Sequence, residues 1–422
     1  MTEQEGQQVP LFSFGVISDV QYADIPDGTS FHGVPRYYRN ALVALQRAVS
    51  SGWVPAGVEF GIHFGDIVDG FQARDGQEKS EQALSDVLQA FSQLPHPTYH
   101  MLGNHCLYNL PRARLNKRLG ITPLLDPAAA AEGASYYAFS PHPTWLFVVL
   151  DAYDVSLLGW PDSHPRHLQA EALLAQHNPN KEKNSPEGLV GVARRFVKFG
   201  GGVSEAQLAW LEQQLQAAKQ RSQNVLVCSH LPLLPDTCPP ACLLWNYEHV
   251  LQLLRQSGVV VATMAGHTHQ NGYLVDEAGI HHLVLPAVLE TPPGRDAYGT
   301  VEVLADRLLL KGVDTCMSAV VKLSAEAVQR QQAVLQRLAA AGAAAALGGD
   351  LQEVQQQGFA ESAAAAAAAA AGGINGAASA ASDLVVEVAD EQQQQQHLGK
   401  AGAVSAAAAV AEQLQAVNLH AS

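Results

Sequence analysis

Five short polar segments, each directly after an apolar, β-branched run, limit the folds open to this 422-residue chain. Such runs predict buried strands, and the amphipathic stretches between them predict helices. Their alternation indicates an α/β domain, in which functional side chains collect beyond the carboxyl ends of the strands. The five segments therefore predict one common site, and they are Asp19–Gln21, Gly65–Gly70, Gly103–His105, Ser229–His230 and Gly266–His269.

The apolar runs predict eight strands, which are Leu11–Ser18, Val58–His63, Thr98–Leu102, Trp145–Leu150, Asn224–Cys228, Val259–Ala265, Ile280–Leu285 and Thr300–Leu304. Helices are predicted where apolar residues recur with a 3.6-residue period, as between Leu84 and Phe91. A second helix is predicted to begin at Ser204, because Gln207 follows three residues later in a capping-box arrangement.

Composition changes near residue 318 and divides the chain into two parts. Beyond this point alanine, glutamine and glycine dominate, with a polyalanine run at Ala363–Ala371 and five glutamines at Gln392–Gln396. Such a segment has too few large apolar side chains to form a second core. We predict a folded domain over residues 10–318 and a low-complexity tail over residues 319–422, helical between Ser318 and Leu347 and otherwise disordered. A tolerated extension is the favoured interpretation of this tail, and a partner-binding helix is the alternative.

Charge and cysteine content restrict the partners and the compartment. The chain has 25 Lys+Arg against 40 Asp+Glu, a net charge of −15, whereas affinity for nucleic acid comes mainly from clustered Lys and Arg. The five scattered cysteines form no CxxC pair, so neither a disulfide framework nor a structural zinc site is indicated. The first ten residues do not resemble a signal peptide, and no apolar stretch reaches the roughly 20 residues that span a bilayer. We expect a cytoplasmic protein that binds neither nucleic acid nor membranes.

The five polar segments contain side chains that suit divalent metal ions. Carboxylates, amides and imidazoles without a thiolate favour Mn²⁺, Fe²⁺ or Zn²⁺. Seven candidates exceed one tetrahedral site, and they are Asp19, Gln21, Asp66, Asn104, His230, His267 and His269. Two ions about 3.5–4 Å apart, bridged by a carboxylate, would use all seven side chains. Such a pair of ions stabilises both the attacking and the leaving oxygen of a phosphoryl transfer. His267 and His269 would point apart in an extended chain, so Gly266 is expected to turn the backbone.

These motifs resemble those of the calcineurin-like metallophosphoesterases, whose usual first motif is Asp-x-His. The matching segments are Asp19/Gln21, GDIVD from Gly65, GNH from Gly103, His230 and GHTH from Gly266. Glutamine in place of the first histidine is similar to the branch that contains the manganese-dependent ADP-ribose/CDP-alcohol diphosphatases. Three further stretches resemble that branch, namely FGVISDVQYAD from Phe14, FGGGVSEAQLAWL from Phe199 and ETPPGRDAYG from Glu290. The resemblance covers residues 10 to 315 and implies a β-sandwich flanked by helices.

The resemblance also implies a role for each candidate ligand. Asp66 would bridge two ions, with Asp19 and His269 on the first ion. Gln21 would offer that ion a harder and weaker amide oxygen, or would only hydrogen-bond the water on that ion. A site with more oxygen ligands favours Mn²⁺ over Zn²⁺, which agrees with the manganese preference of the branch, although Mg²⁺ and Fe²⁺ are also candidates. The ligands implied for the second ion are Asn104, His230 and His267.

His105 is the expected catalytic acid, or a hydrogen-bond donor to the leaving oxygen, and a structural hydrogen bond within its loop is the alternative. Asp69 is expected to orient the loop or a ligand rather than to bind metal. The superfamily commonly has an acidic residue after GNH, where this chain has Cys106. Either another carboxylate pairs with His105, or His105 acts as a neutral donor. Cys106 itself is expected to pack as a small hydrophobic residue.

The segment from Asp151 to Gly202 interrupts the predicted sheet and is rich in Pro, Gly, Asn and charged residues. Long loops of this kind are often functional, so we predict that it covers the site. The predicted substrate contacts are Arg194 or Arg195 at the distal phosphate and Phe196 or Tyr22 at the nucleobase. The alternative is that the arginines are solvated and the aromatic residues belong to the core. The Glu290–Gly299 stretch is expected to pass the metal centre, as a turn or as part of substrate gating.

The resemblance implies a hydrolase that cleaves the diphosphate bond of ADP-ribose, CDP-choline and related nucleoside diphosphate derivatives. The products would be AMP or CMP and a phosphomonoester. Small molecules are the expected partners, and a monomer is the expected state. Two alternatives are another dimetal phosphodiesterase or phosphomonoesterase and, from a different class, a non-catalytic scaffold with the same fold. Scaffolds usually lose ligands, whereas only Gln21 departs from the usual pattern here.

Overall fold

Two six-stranded sheets lie at the centre of the computed structural model, which describes residues 9–346. The first sheet has, in spatial order, Ala319–Lys322 (β14), Arg307–Asp314 (β13), Ala297–Val303 (β12), Phe12–Ile17 (β1), Phe60–His63 (β4) and Thr98–His100 (β5). The second has Gly272–Val275 (β10), His281–Val284 (β11), Val260–Ala265 (β9), Asn224–Cys228 (β8), Trp145–Val149 (β7) and Tyr137–His142 (β6). Gly28–Thr29 (β2) and Pro35–Arg36 (β3) form a separate hairpin.

Parallel pairing brings the ends of the central strands to one edge of each sheet. In the first sheet β1 is parallel to β4, and β4 is parallel to β5. In the second sheet β7, β8, β9 and β11 are successively parallel. Because the carboxyl ends of parallel strands lie at the same edge, the loops that follow them lie side by side.

Aromatic packing between the two sheets forms the core. Phe14 on β1 stacks on Phe60 of β4, with ring centroids 5.1 Å apart. Phe147 on β7 meets both rings edge-on, at 5.3 Å from Phe14 and 5.5 Å from Phe60. All three side chains are buried, and such pairs add directional contacts to the burial of apolar area. The expected β-sandwich is therefore confirmed.

Helices connect many of the strands. Within the described residues they are Tyr38–Arg47 (α1), Val54–Ala56 (α2), Gln77–Phe91 (α3), Asn104–Asn109 (α4), Arg112–Arg118 (α5), Pro127–Ala131 (α6), Pro165–His177 (α7), Glu205–Arg221 (α8), Tyr247–Ser257 (α9) and Ala325–Ala346 (α10). Of these, α8 and α9 pack against β8 and β9 of the second sheet. The predicted cap of α8 is confirmed, because the Ser204 hydroxyl accepts a hydrogen bond from the Gln207 backbone. None of these helices combines the length and the apolar character that a membrane span requires.

All eight predicted strands are present, with ends that differ from the prediction by at most three residues. Three of the four edge strands of the two sheets were not predicted, namely β6, β10 and β14. The same is true of β13, which lies beside β14, and of the short hairpin strands β2 and β3. Edge strands are partly exposed and need no continuous apolar run, so β10 has the exposed side chains Tyr273, Leu274 and Val275. Periodicity and apolar content therefore identify the centre of each sheet better than its edges.

The segment from Asp151 to Gly202 is more regular than its sequence indicates. It contains α7 and a short 3₁₀ turn at Gly191–Arg195. Val155 pairs with Gly202 in an isolated antiparallel bridge that closes the segment at its base. The buried amide of Asn178 donates hydrogen bonds to the carbonyls of Phe196 and Ser185. These internal bonds hold the segment in one conformation.

The folded part of the chain extends beyond residue 318. Strand β14 pairs with β13. The helix predicted between Ser318 and Leu347 is therefore wrong for its first residues, because α10 begins only at Ala325. Gln331 is buried, accepts a hydrogen bond from the indole of Trp145 and donates to the carbonyls of Leu304 and Ala305. A boundary at residue 318 would remove these interactions, so we propose that the folded domain ends after Gln331. The polyalanine and polyglutamine runs lie outside the described residues.

We expect Gln331→Ala to destabilise the protein by about 2–4 kcal/mol, because one indole N–H and two carbonyls would lose their buried partner. The measurement is equilibrium unfolding in urea. Gln332→Ala is the matched control, since Gln332 is exposed on the same helix, and it should change the free energy of unfolding by less than about 0.5 kcal/mol. Equal stability of the two variants would contradict the proposed boundary.

Candidate metal centre

The loops after five strands converge at one edge of the sandwich. Each of the seven predicted ligands follows one of these strands: Asp19 and Gln21 follow β1, Asp66 follows β4, Asn104 follows β5, His230 follows β8, and His267 and His269 follow β9. The first five of these side chains are buried and the last two are half-buried. The structure therefore brings together residues that are up to 250 positions apart in the sequence.

Asp19 receives hydrogen bonds from loops of both sheets. Its Oδ2 atom accepts from the Ser18 hydroxyl and, at 2.9 Å, from the backbone N–H of His267. Its Oδ1 atom lies 3.4 Å from Nε2 of His269. Burial acts to raise the pKa of Asp19, but the hydrogen bond with His269 and the nearby imidazole of His230 outweigh it and hold the pKa well below its usual range. Asp19 is therefore ionised, with one oxygen facing the imidazoles.

Asp66 has the same arrangement in the next loop. Its Oδ1 atom accepts a 2.8 Å hydrogen bond from the backbone N–H of His105. Its Oδ2 atom lies 3.4 Å from Nε2 of His230 and 3.5 Å from Nε2 of Gln21. Burial acts to raise the pKa of Asp66, but the imidazoles of His230 and His105 lower it overall. One oxygen thus faces the residues of both predicted metal positions, which fits a bridging carboxylate.

Asp66, His230 and His267 fit a divalent cation. Their ligand atoms lie within 4.8 Å of one another. Burial and the neighbouring His230 lower the pKa of His267 to about 3, so this imidazole is neutral at neutral pH. Its Nε2 atom is buried and has no hydrogen-bond partner among residues 9–346. A neutral imidazole with an unused lone pair beside an ionised carboxylate suits Mn²⁺, Fe²⁺ or Zn²⁺.

Gln21 contributes an amide at the centre of the other group. Its Nε2 atom lies 2.7 Å from Nε2 of His269 and 3.3 Å from Oδ1 of Asp19. Its Oε1 atom is buried without a hydrogen-bond partner in the described part of the chain. The two ends of a side-chain amide have the same shape, so their assignment follows from the surrounding partners. With the oxygen directed toward Asp19 and His269, Gln21 offers a cation the amide ligand expected from the sequence.

Backbone strain is concentrated in these loops. Eight non-glycine residues in the described range have positive φ angles, and five of them are predicted ligands: Asp19, Gln21, Asp66, His267 and His269. Non-glycine residues adopt this region at a cost, and strain of this kind clusters at functional sites. Because both residues of such a pair have left-handed backbone, side chains that are two residues apart, such as those of His267 and His269, point toward the same side.

Gly266 has a different role from the one predicted. The expectation was that this glycine turns the backbone, but the positive φ angles belong to His267 and His269 themselves. A Cβ atom at position 266 would lie 2.0 Å from the Ser18 hydroxyl and 2.6 Å from Oδ2 of Asp19. Glycine is needed there because the two loops approach each other too closely for a side chain.

His105 lies beside the bridging carboxylate with its ring orientation determined by the preceding loop. Its Nδ1 atom accepts a 2.8 Å hydrogen bond from the backbone N–H of Gly70. Since Nδ1 is an acceptor, the proton of the neutral ring resides on Nε2. Asp69 is the carboxylate nearest this ring among the described residues, with Oδ2 3.3 Å from Nδ1. Cys106 is buried, as expected, and accepts a hydrogen bond from the Ile67 backbone.

Glu290 and Arg36 are two site residues to which the sequence analysis gave no ligand-related role. Oε1 of Glu290 lies 2.7 Å from Nδ1 of His269, and Nε of Arg36 lies 3.6 Å from the same Glu290 oxygen. Burial acts to lower the pKa of His269, but its hydrogen bonds with Asp19 and Glu290 raise the pKa to about 9. Glu290 is the first residue of the ETPPG motif noted in the sequence, whereas Arg36 belongs to none of the motifs.

The segment from Asp151 to Gly202 reaches the ligands through two aromatic residues that were not predicted. The Tyr153 hydroxyl is 3.1 Å from Oδ1 of Asn104. The Phe199 ring is 5.8 Å from the ring of His267. The predicted stacking residue Phe196 instead stacks on His177, with ring centroids 4.2 Å apart.

The four predicted substrate contacts have partners within the protein. Arg195 is buried and donates to the carbonyls of Trp245 and Val192 and to the Glu248 carboxylate. Arg194 donates to the Leu189 carbonyl, and Tyr22 is buried beside Val68. Their roles in substrate binding remain predictions.

Comparisons with known proteins identify the family and support the fold. The sequence profile of the calcineurin-like phosphoesterases matches residues 12–271. A rice protein (Oryza sativa subsp. japonica) named manganese-dependent ADP-ribose/CDP-alcohol diphosphatase is 54% identical over 305 residues, which are 72% of this chain and 92% of the rice protein. A Homo sapiens protein of the same name is 40% identical over 315 residues, covering 72% of this chain and 90% of its own length. The crystal structure of a dimetal phosphatase from Danio rerio has a TM-score of 0.72 and 38% identity, and the match covers 75% of this chain and 100% of that chain.

We expect Glu290→Gln to weaken Mn²⁺ binding by about 10-fold to 100-fold, because the carboxylate that orients a ligand histidine raises its affinity for metal. Glutamine keeps the shape of the side chain and removes its charge. The measurement is calorimetric titration of the metal-stripped protein with Mn²⁺. Glu277→Gln, at a glutamate that is 77% exposed and pairs with Arg255, is the control and should bind Mn²⁺ normally. An unchanged affinity in Glu290→Gln would contradict the orienting role.

Proposed function

This chain belongs to the calcineurin-like phosphoesterase family, and on that premise we propose that it is a manganese-dependent hydrolase of ADP-ribose and CDP-alcohols. It cleaves the diphosphate bond and releases AMP or CMP with a second phosphomonoester. The observation that carries this proposal is the convergence of Asp66, His230 and His267 within 4.8 Å in a chain so similar to diphosphatases of that name. The substrates are small molecules, and the protein acts as a monomer.

The ligands divide into two groups that share Asp66. Asp19, Gln21 and His269 would hold the first ion, and their mutual distances of 2.7 to 3.4 Å support a common position. The group proposed for the second ion consists of Asn104, His230 and His267. When bound, the two ions supply Lewis acidity and neutralise charge on the phosphoryl oxygens. The protein needs this neutralisation, because its own net charge of −15 would repel a diphosphate.

His105 is the proposed proton donor to the leaving phosphate. The N–H of Gly70 occupies Nδ1 at 2.8 Å, so Nε2 carries the transferable proton. The ring is 20% exposed, which leaves it accessible to substrate. A histidine in this position can both donate to an oxygen of the substrate and recover its proton from solvent.

Substrate contacts beyond the metal ions come from Arg36 and from exposed aromatic residues. Arg36 ends the β2–β3 hairpin within 3.6 Å of Glu290, so its guanidinium is near the metal ligands and can bind the distal phosphate. Phe31 in the same hairpin is fully exposed, and Phe199 lies against His267. An aromatic ring that is accessible to substrate can stack on a nucleobase.

We expect Arg36→Ala to raise the KM for ADP-ribose by about 10-fold or more, because a charge-assisted hydrogen bond to phosphate contributes about 1.5–3 kcal/mol. Steady-state kinetics at saturating Mn²⁺ would measure this change. Arg195→Ala serves as the comparison, because the sequence analysis predicts a phosphate contact there and the structure shows internal partners. A normal KM in Arg36→Ala together with a raised KM in Arg195→Ala would assign the phosphate contact to the segment between Asp151 and Gly202.

We also propose that the protein works in the cytoplasm. All five cysteines lie in the described range and all five thiols are free, which supports a reducing compartment. A fluorescent fusion protein should be distributed through the cytoplasm, and accumulation in the secretory pathway would contradict this location.

The substrate and metal specificity are tested together with the metal-stripped protein. ADP-ribose, CDP-choline and bis(p-nitrophenyl) phosphate are each supplied with Mn²⁺, Mg²⁺ or Zn²⁺, and the products are separated by chromatography. We expect AMP and CMP with Mn²⁺ and much less with the other ions. Hydrolysis of the synthetic diester alone would keep the metal site and reject the proposed substrates. Absence of turnover with every ion would reject the enzymatic function.

Asp66→Asn is the control that links this activity to the proposed site. It removes the shared carboxylate charge and should lower kcat by on the order of 1,000-fold, as expected for loss of a central charge-stabilising group. Asp162→Asn, at a fully exposed aspartate, should leave kcat unchanged. Both variants should keep the wild-type circular dichroism spectrum. Full activity of Asp66→Asn would contradict the two-metal assignment.

A further inference from the structure

Tyr153 is a buried tyrosine whose hydroxyl contacts a proposed metal ligand. The hydroxyl donates to Oδ1 of Asn104 at 3.1 Å, and the ring centroid lies 6.0 Å from that of His230. The side chain has no exposed surface. A tyrosine hydroxyl is protonated at neutral pH, so it acts as the donor in this contact.

The backbone of Tyr153 is anchored by a buried ion pair. Its N–H donates to Oδ1 of Asp151 at 3.0 Å, and its carbonyl accepts from Nη2 of Arg112 at 2.7 Å. Arg112 also pairs with Asp151 at a site from which water is excluded, with side chains 3% and 0% exposed. Trp160 donates to the Tyr153 carbonyl and lies against the Arg112 guanidinium. Buried, hydrogen-bonded charges of this kind resist rearrangement because breaking one contact leaves a charge unpaired.

The FGGGVSEAQLAWL stretch supports the same loop from the other side. A Cβ atom at Gly201 would lie 2.4 Å from the carbonyl oxygen of Ala152 and 3.1 Å from Cα of Tyr153, so only glycine permits this approach. The Gln207 side chain accepts from the Asp151 N–H and donates to the Asp151 carbonyl. A stretch that the proposed chemistry does not use thus has a physical role in holding residues 151–153.

We infer that Tyr153 is a positioning residue that sets the amide orientation of Asn104 and thereby the affinity of the second metal position. An amide oxygen has two lone pairs, so Oδ1 can accept the tyrosine hydroxyl with one and face a cation with the other. Without the hydroxyl, Oδ1 of Asn104 loses this donor, and the amide is held less firmly with its oxygen toward the cation. The inference rests on the proposed function, because it presupposes that Asn104 is a ligand.

The test is Mn²⁺ titration of metal-stripped wild type and Tyr153→Phe, by calorimetry and by electron paramagnetic resonance of free Mn²⁺. Wild type should bind two ions. Tyr153→Phe should bind one ion with unchanged affinity and the other about 10-fold to 100-fold more weakly, the range known for groups that orient metal ligands. In kinetics, the Mn²⁺ concentration for half-maximal activity should rise by a similar factor, while kcat at saturating Mn²⁺ stays close to wild type.

Tyr137→Phe is the matched control, because Tyr137 is also buried and its hydroxyl donates to a backbone carbonyl, that of His100. It should bind both ions with wild-type affinity. Two tight ions in Tyr153→Phe, or an equal loss in both tyrosine variants, would overturn the inference and leave the proposed function intact. Fewer than two ions in wild type would overturn the two-metal assignment, and the inference with it.

Discussion

The site depends on hydrogen bonds between two buried carboxylates and the backbone of neighbouring loops. Asp19 accepts from the N–H of His267, and Asp66 accepts from the N–H of His105. Each bond joins loops that follow different strands, and the first joins the two sheets. Burying a carboxylate costs several kcal/mol unless it is paired and hydrogen-bonded, so the imidazoles and backbone donors are needed even before a cation binds. The same contacts leave one oxygen of each carboxylate facing the ligand histidines.

Close approach of these loops explains the glycines that begin the GNH and GHTH motifs. A Cβ atom at Gly103 would lie 2.0 Å from Oδ1 of Asp66, as one at Gly266 would lie 2.0 Å from the Ser18 hydroxyl. The residues that follow Gly266 then take the strained left-handed conformation themselves. The pattern of glycine before a ligand therefore records a packing requirement between loops, and the strain is borne by residues whose side chains have to converge.

The sequence predicts the centre of the structure because its signals there are local. A buried strand followed by Asp66 or His230 is visible within a few residues, so the sandwich and the candidate ligands follow from the motifs. Contacts between distant segments leave no local signal. Tyr153 contacts Asn104 from a loop whose sequence indicates only irregular structure, and the ETPPG motif marks Glu290 without indicating its contact with His269. Arg195 bonds to groups within the protein, whereas Arg36 lies near the candidate ligands. The sequence does not distinguish these two arginines, because the contacts that differ are tertiary.

The account rests on two ions that share the carboxylate of Asp66. Anomalous X-ray scattering from crystals grown with Mn²⁺, recorded at the manganese absorption edge, locates the ions without reference to activity. The account predicts two peaks about 3.5–4 Å apart with the Asp66 carboxylate between them, one peak beside Asp19 and the other beside His230. A single peak, or two peaks that do not both contact Asp66, would contradict it.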